Sequence, residues 1–240
     1  MLFLLLIFEP AIMGYILNIE TATKNCSVSL SQNGETVISK ELNNGKYSHA
    51  EVLHVFIHEL FEKQGVDRSN LDAVAVSKGP GSYTGLRIGV SGAKGICYAF
   101  DVPLIAVNTL TSLAHAIDRE DGFIVPMLDA RRLEVYAAVF DVSYNLLEET
   151  QAVIIDENAY QGFLEKGKVY FLGDGAEKCK ALITHPNANF LDSYFPSTIQ
   201  MAKLSHEAYK KKQFEDVAYF EPFYLKDFIA VPEKKRKPIF

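Results

Sequence analysis

The segment KGPGSYTGLRIGVSGAKG, Lys78–Gly95, holds six glycines in eighteen residues and joins a strand pattern, LDAVAVSKG, to a long apolar helix pattern. Glycine-rich turns between a strand and a helix often cradle phosphate. A P-loop needs a Lys-Ser/Thr pair after its last glycine, whereas Gly85 is followed by Leu86 and Arg87. A dinucleotide turn needs G-x-G-x-x-G, whereas Gly79, Gly81 and Gly85 give G-x-G-x-x-x-G. Ser82, Thr84 and Arg87 remain as candidates for holding an anion at the helix start.

The helix expected from about Leu86 to Phe100 carries one narrow polar stripe, Arg87, Ser91, Lys94 and Tyr98, so it is buried on more than one side. Gly89, Gly92 and Gly95 each cost about 1 kcal/mol relative to alanine in a helix interior. Close approach of another backbone or side chain is what offsets such a cost. Two occupants fit the small-residue face of Gly85, Gly89 and Gly92: a helix from a partner, or a neighbouring element of the same chain.

Working outward, YILNIET reads as a buried strand, and CSVSLSQNGETVISKEL alternates about Asn33-Gly34, a hairpin signal. In SHAEVLHVFIHELFEKQG, Leu53, Phe56, Ile57, Leu60 and Phe61 recur at helical spacing and Gly65 stops the helix. PLIAVN and TSLAHAIDR add a strand and a short helix, giving β-β-β-α-β-α-β-α. FIVPMLDARRLEVYAAVFD opens a second series of strands, in which Leu128-Asp129-Ala130 parallels Ile19-Glu20-Thr21. KVYFLGDG gives a later strand and IQMAKLSHEAYKKKQ a late helix. The chain therefore reads as α/β, with two similar units side by side: residues 13–120 and a smaller 121–230.

With 240 residues, 48% apolar and 22% charged, the composition is that of a globular protein. A net charge of −6 excludes a whole-surface attraction for nucleic acid and leaves only local patches. Lys234–Lys237 reads as a solvated basic tail within residues 231–240. Cys26, Cys97 and Cys179 are far apart and odd in number, which fits a reducing compartment and no zinc site. The apolar run Met1–Phe8 is too short to span a bilayer, and residues 1–12 read as an upstream extension before a start at Met13.

GPGSYTGLRIGVSGAKG closely resembles the signature segment of the TsaB (YeaZ) family. ILNIETATKNCSVSL, YSHAEVL, VNTLTSLA, DARRLEVYAAVF and YLKDFIA resemble further segments of that family in the same order, from about Met13 to Ala230. The resemblance implies two related lobes of the actin/Hsp70/sugar-kinase-like (ribonuclease H-like) type, each a mixed sheet flanked by helices. It implies a cytoplasmic, non-catalytic subunit acting in the synthesis of threonylcarbamoyladenosine beside the tRNA anticodon. It also implies a homodimer when alone, pairing with a TsaD-like paralogue and a TsaE-like ATPase, and no membrane association. Contact with tRNA is then indirect or through the complex. Family pairing through the first two helices selects the partner reading of the glycine face, with an interface of Leu53, Phe56, Ile57, Leu60, Gly85, Arg87, Gly89, Gly92, Ala93 and Ile96.

Against that background no catalytic, metal or cofactor residues are expected. The paralogue's H-x-x-x-H metal pair falls on Thr109 and Leu113. The turns that bind phosphate in ATP-binding relatives read Glu20-Thr21-Ala22-Thr23 and Asp129-Ala130-Arg131-Arg132, without their glycines. GDGAE, Gly173–Glu177, keeps glycines in the adenosine-loop region. His54 and His58, with Glu51 and Glu62, read as solvated residues beside an apolar face. His49 caps or packs on the first helix, and Asp129, Arg131 and Glu134 form an ion-paired cluster at the lobe junction. GPGSYTG lacks the spacing of a nucleophile elbow. The rival class is an ATP-dependent transferase or kinase, or a metallopeptidase, of the same fold.

Overall fold

The structure, a computed structural model, describes residues 14–226. The N-terminal extension, the basic tail and the last residues of YLKDFIA lie outside the described residues. The first lobe is built on β1 (Tyr15–Glu20), β2 (Cys26–Gln32), β3 (Glu35–Leu42), β4 (Leu71–Gly79) and β5 (Leu104–Asn108), in the order β3-β2-β1-β4-β5. The second uses β6 (Phe123–Asp129), β7 (Glu134–Asp141), β8 (Leu146–Ile154), β9 (Val169–Leu172) and β10 (Ala188–Leu191), in the order β8-β7-β6-β9-β10. In each sheet the first three strands are antiparallel and the last two run parallel to the first. This repeated order is the ribonuclease H-like architecture expected from the resemblance.

Local chemistry sets the boundaries. Asn33 and Gly34 both take positive φ (54° and 84°), the geometry a two-residue hairpin needs. Helix α1 (His49–Gln64) ends where Gly65 adopts φ 61°. Helix α2 (Tyr83–Phe100) begins one turn earlier than its apolar pattern, because Ser82 Oγ accepts from the Gly85 N–H and caps it. Strand β10 is absent from the sequence reading. At four half-buried residues it is too short to show a period.

Strand alternation sorts the first lobe into two layers. Leu17, Ile19, Val28 and Leu30 face α1 and α2, where Leu53, Phe56, Ile57, Leu60, Val90, Ala93 and Cys97 complete one core. Ile16, Ala73, Ala75, Ile105 and Val107 face the other way, onto Met201 of α5 (Thr198–Lys210), which follows the one-turn α4 (Gln161–Leu164) of the second lobe. The late helix therefore crosses back to the first sheet. The short helix α3 (Thr109–Ala114) packs conversely into the second lobe, where Leu110, Leu113 and Ala114 join Ile124, Leu128 and Phe140. Sequence order assigned these two helices to the opposite units; each goes where a bare sheet face needs covering.

Beneath α5 the β2 face made of Ser27, Ser29 and Ser31 is fully buried. Asn18 Nδ2 donates to Ser31 Oγ (2.8 Å), and Ser27 Oγ pairs with Thr198 Oγ1 (2.8 Å). Among the described residues, no helix is long and apolar enough to cross a membrane. Cys26, Cys97 and Cys179 are unpaired and buried.

Candidate functional site

The glycine segment lies against the turn after β1. Ser82 N–H donates to Ala22 O (2.7 Å), and Thr21 Oγ1 donates to Gly85 O (2.8 Å). A Cβ on Gly81 would stand 2.5 Å from Ala22 O, one on Gly85 would overlap Thr21 O, and one on Gly89 would overlap Thr21 Oγ1. On Gly92 it would touch Leu53 and His54 of α1 at 3.4 Å. The close approach to Gly85 and Gly89 is thus made by this chain, which corrects the expectation of a partner helix at those two glycines, whereas Gly92 meets α1 only at ordinary contact distance and also lines an open groove. Leu53, Phe56, Ile57, Leu60 and Ala93 are likewise buried in the lobe's own core. From sequence, apolar spacing marks a buried face but cannot say whose atoms bury it.

Of the residues expected at the interface, Arg87 is exposed and Ile96 half-buried. They belong to an open groove of ≈ 680 Å³ along the outward side of α1 and α2, which also takes in His54, Thr84, Ile88 and Ser91. Gly95 opens onto the same groove, and an added Cβ there meets nothing within 4 Å. Tyr98, one turn further, is 88% exposed. The chain after α5 flanks this surface. Lys94 Nζ donates to Ala218 O and Phe220 O, Arg87 Nε donates to Tyr224 OH (3.3 Å), and the Tyr83 and Tyr224 rings lie 4.9 Å apart. The candidates for an anion are separated: Ser82 caps the helix, while Thr84 and Arg87 line the groove.

The lobe junction is the other place where polar groups collect. Glu20, at the end of β1, is fully buried, and its Oε1 accepts from Ala22 N–H (2.6 Å). Burial pushes its carboxyl up to about 7, so it is largely protonated below neutrality, and its second oxygen has no hydrogen-bond partner. Beside it Ser77 Oγ pairs with Thr109 Oγ1 (2.6 Å). His49 packs at the start of α1, 2% exposed, and donates from Nε2 to Thr23 O (2.7 Å); burial lowers its pKa, opposed by that hydrogen bond. Thr109 and Leu113, the positions of the paralogue's metal pair, are both fully buried. Among the described residues no three His, Cys, Asp or Glu side chains converge as a metal-binding set.

Across the junction Asp174 Oδ1 accepts from Asp129 N–H (3.1 Å), and burial raises the Asp174 carboxyl. Asp129 is ion-paired with Lys178 and Glu134 with Lys226. The acidic residues of the expected cluster are thus paired with lysines, and Arg131 joins through its backbone: its N–H donates to Asp129 Oδ1 (2.9 Å) and its carbonyl accepts from Glu134 N–H (3.2 Å). The glycines of GDGAE serve the lobe itself. A Cβ on Gly173 would overlap Met127 O, and one on Gly175 would stand 2.7 Å from the Leu128 carbonyl carbon.

Two duplicated mixed sheets with helices exchanged between them define a two-lobed, actin-type α/β protein with an open groove along α1 and α2. The family model described as TsaD: tRNA N6-adenosine threonylcarbamoyltransferase matches residues 36–232. The tRNA threonylcarbamoyladenosine biosynthesis protein TsaB of Bacillus subtilis (strain 168) is 32% identical over 222 residues, covering 88% of this chain and 93% of the relative. TsaB of Escherichia coli (strain K12) is 28% identical over 223 residues, covering 90% and 96%. The solved structure of YeaZ from Pseudomonas aeruginosa superposes with a TM-score of 0.78 at 26% identity, covering 89% of this chain and all of that one. The tRNA N6-adenosine threonylcarbamoyltransferase of Bacillus subtilis is 30% identical over 129 residues, covering 48% of this chain and 37% of its own. The chain belongs to the TsaB (YeaZ) family of tRNA threonylcarbamoyladenosine biosynthesis proteins.

Proposed function

We propose that the chain is a non-catalytic, cytoplasmic subunit of the assembly that makes threonylcarbamoyladenosine on tRNA. In this reading it seats the outward face of α1 and α2 on a TsaD-like paralogue, which performs the transfer, with a TsaE-like ATPase as third component. Alone, the same face pairs two copies of this chain.

The observation that carries the reading is the groove itself. Half-buried Ile88 and Ile96 lie on either side of exposed Ser91 and Gly95, and Gly95 leaves its backbone open to a close neighbour. A helix face of this kind, apolar with small residues and one cation at its edge, suits packing against another helix. The glycine that matters for docking is therefore Gly95, because Gly89 is occupied from within.

Co-expression with the paralogue and size-exclusion chromatography test the reading. The unaltered chain is expected to co-elute with the paralogue. Gly95→Arg is expected to elute without it, while melting no lower than the unaltered chain, because arginine also favours the helix. Co-elution of Gly95→Arg in full yield would overturn the docking face. In a modification assay with each component left out in turn, product formed without the paralogue would overturn the non-catalytic role.

A further inference from the structure

The turn between β6 and β7 has a backbone that its residues do not favour. Arg131 and Arg132 are adjacent, neither is glycine, and both take left-handed φ, 70° and 53°. Left-handed geometry costs an ordinary side chain roughly 1–2 kcal/mol, and asparagine or glycine would relieve most of it. The surroundings hold it in place: Glu134 N–H donates to Arg131 O (3.2 Å), Ala130 N–H to Glu134 O (3.0 Å), and Lys178 Nζ to Arg132 O (2.8 Å). Strain retained at a well-braced surface turn points to a use for the side chains displayed there.

Both arginines are exposed, and among the described residues neither guanidinium has an ion-pair or hydrogen-bond partner. The charges around them do not cancel. Lys24, from the turn after β1, and Lys178 act on Asp174; Asp174, Asp129 and Arg131, in that order, act on Tyr47 of the first lobe, and Lys226, Glu134 and Arg131 on Tyr136 of the second. Lys24, Arg131, Arg132, Lys178 and Lys226 thus meet three carboxylates, Asp129, Glu134 and Asp174. Lys178 is paired with Asp129 and Lys226 with Glu134, which leaves Lys24, Arg131 and Arg132 facing Asp174. On a chain of net charge −6 this is a local cationic patch. Apolar and aromatic side chains stand among its charges: Tyr47 is 59% exposed and Leu133 55%. Cations spread over an exposed turn beside an exposed ring suit a phosphodiester chain with unstacked bases better than a small ion, which needs an enclosed cradle.

We propose that the Arg131–Arg132 turn, with Lys24 and Tyr47 across the lobe junction, is a direct contact for the RNA backbone. The choice of RNA rests on the proposed role in tRNA modification; the site itself is independent of the docking face.

The test uses the full chain, alone and co-purified with the paralogue, and an unmodified tRNA transcript followed by fluorescence anisotropy across a salt series. Arg131→Asn/Arg132→Asn removes both charges and accepts the left-handed backbone, so its melting temperature is expected to equal or exceed that of the unaltered chain. Losing two single-strand phosphate contacts lowers the slope of log K against log salt by about 1.4, which is roughly 25-fold in affinity at 0.1 M salt. Arg131→Lys/Arg132→Lys keeps the charges and should recover most of the affinity and the slope. Equal binding and slope for the asparagine variant, no binding by the unaltered chain in either form, or displacement by millimolar inorganic phosphate at constant ionic strength would each overturn the proposal. Arginine-dependent binding by the isolated chain, in the absence of co-elution with the paralogue, would sink the docking face and leave this site standing.

Discussion

Gly89 and Gly95 lie six residues apart on α2, and alanine at the two positions should shift stability in opposite directions. Either substitution gains about 0.8–1 kcal/mol of helix propensity. At Gly95 nothing lies within 4 Å of the new methyl group, so the gain is kept in full. For a chain of this size that corresponds to a rise of about 2–4 °C in melting temperature. At Gly89 the methyl group overlaps the hydroxyl of Thr21, a stiff, fully buried, β-branched side chain that donates to Gly85 O. Relief requires Thr21 to turn, which strands a buried hydrogen-bond group at a cost of about 1–3 kcal/mol, and crowding adds about 1–3 kcal/mol more. The net for Gly89→Ala is a loss of about 1–5 kcal/mol. Thermal unfolding followed by circular dichroism, with urea melts for the free energies, measures both. A Gly89→Ala variant that melts at or above the unaltered chain would refute the assignment of that glycine to Thr21, and with it the claim that the docking glycine is Gly95.

Glu20 gives a pH dependence of defined sign. Its folded value of about 7 lies above its ordinary 4.5, so the folded chain keeps a proton that the unfolded chain releases. The stability this contributes is complete below pH 4.5 and is lost as pH rises to 7, by roughly 3 kcal/mol. Glu20→Gln, which mimics the protonated carboxyl, should flatten urea-derived stability across that window and raise it above pH 7; an unchanged slope would contradict the burial argument. The thiols of Cys26 and Cys97 are pushed to about 12 and that of Cys179 to about 11, chiefly by burial. Ellman's reagent at pH 8 should therefore label none of them until denaturant unfolds the chain. Rapid native labelling would place at least one of them at the surface.

Much of this protein is written in local chemistry. The Asn33-Gly34 turn, the left-handed Gly65 stop and the 3.6-residue spacing of Leu53, Phe56, Ile57 and Leu60 each depend on contacts within a few residues, and each is legible without coordinates. The repeat of strand–hairpin units is legible for the same reason. The sequence also marked the glycine helix as closely approached, since three interior glycines need an explanation. It did not identify the neighbour, because an absent side chain records that space is needed and not whose atoms fill it. The tertiary structure assigned Gly85 and Gly89 to Thr21 and left Gly95 open. It also decided the burial of Ser27, Ser29 and Ser31. These polar residues alternate along β2, and α5 returns about 170 residues later in the chain and buries them through Thr198. Strained φ at Arg131 and Arg132 is equally invisible in the letters. Periodicity and turn preference are properties of neighbouring residues, whereas burial, charge convergence and backbone strain are set by segments that meet only when the chain has folded.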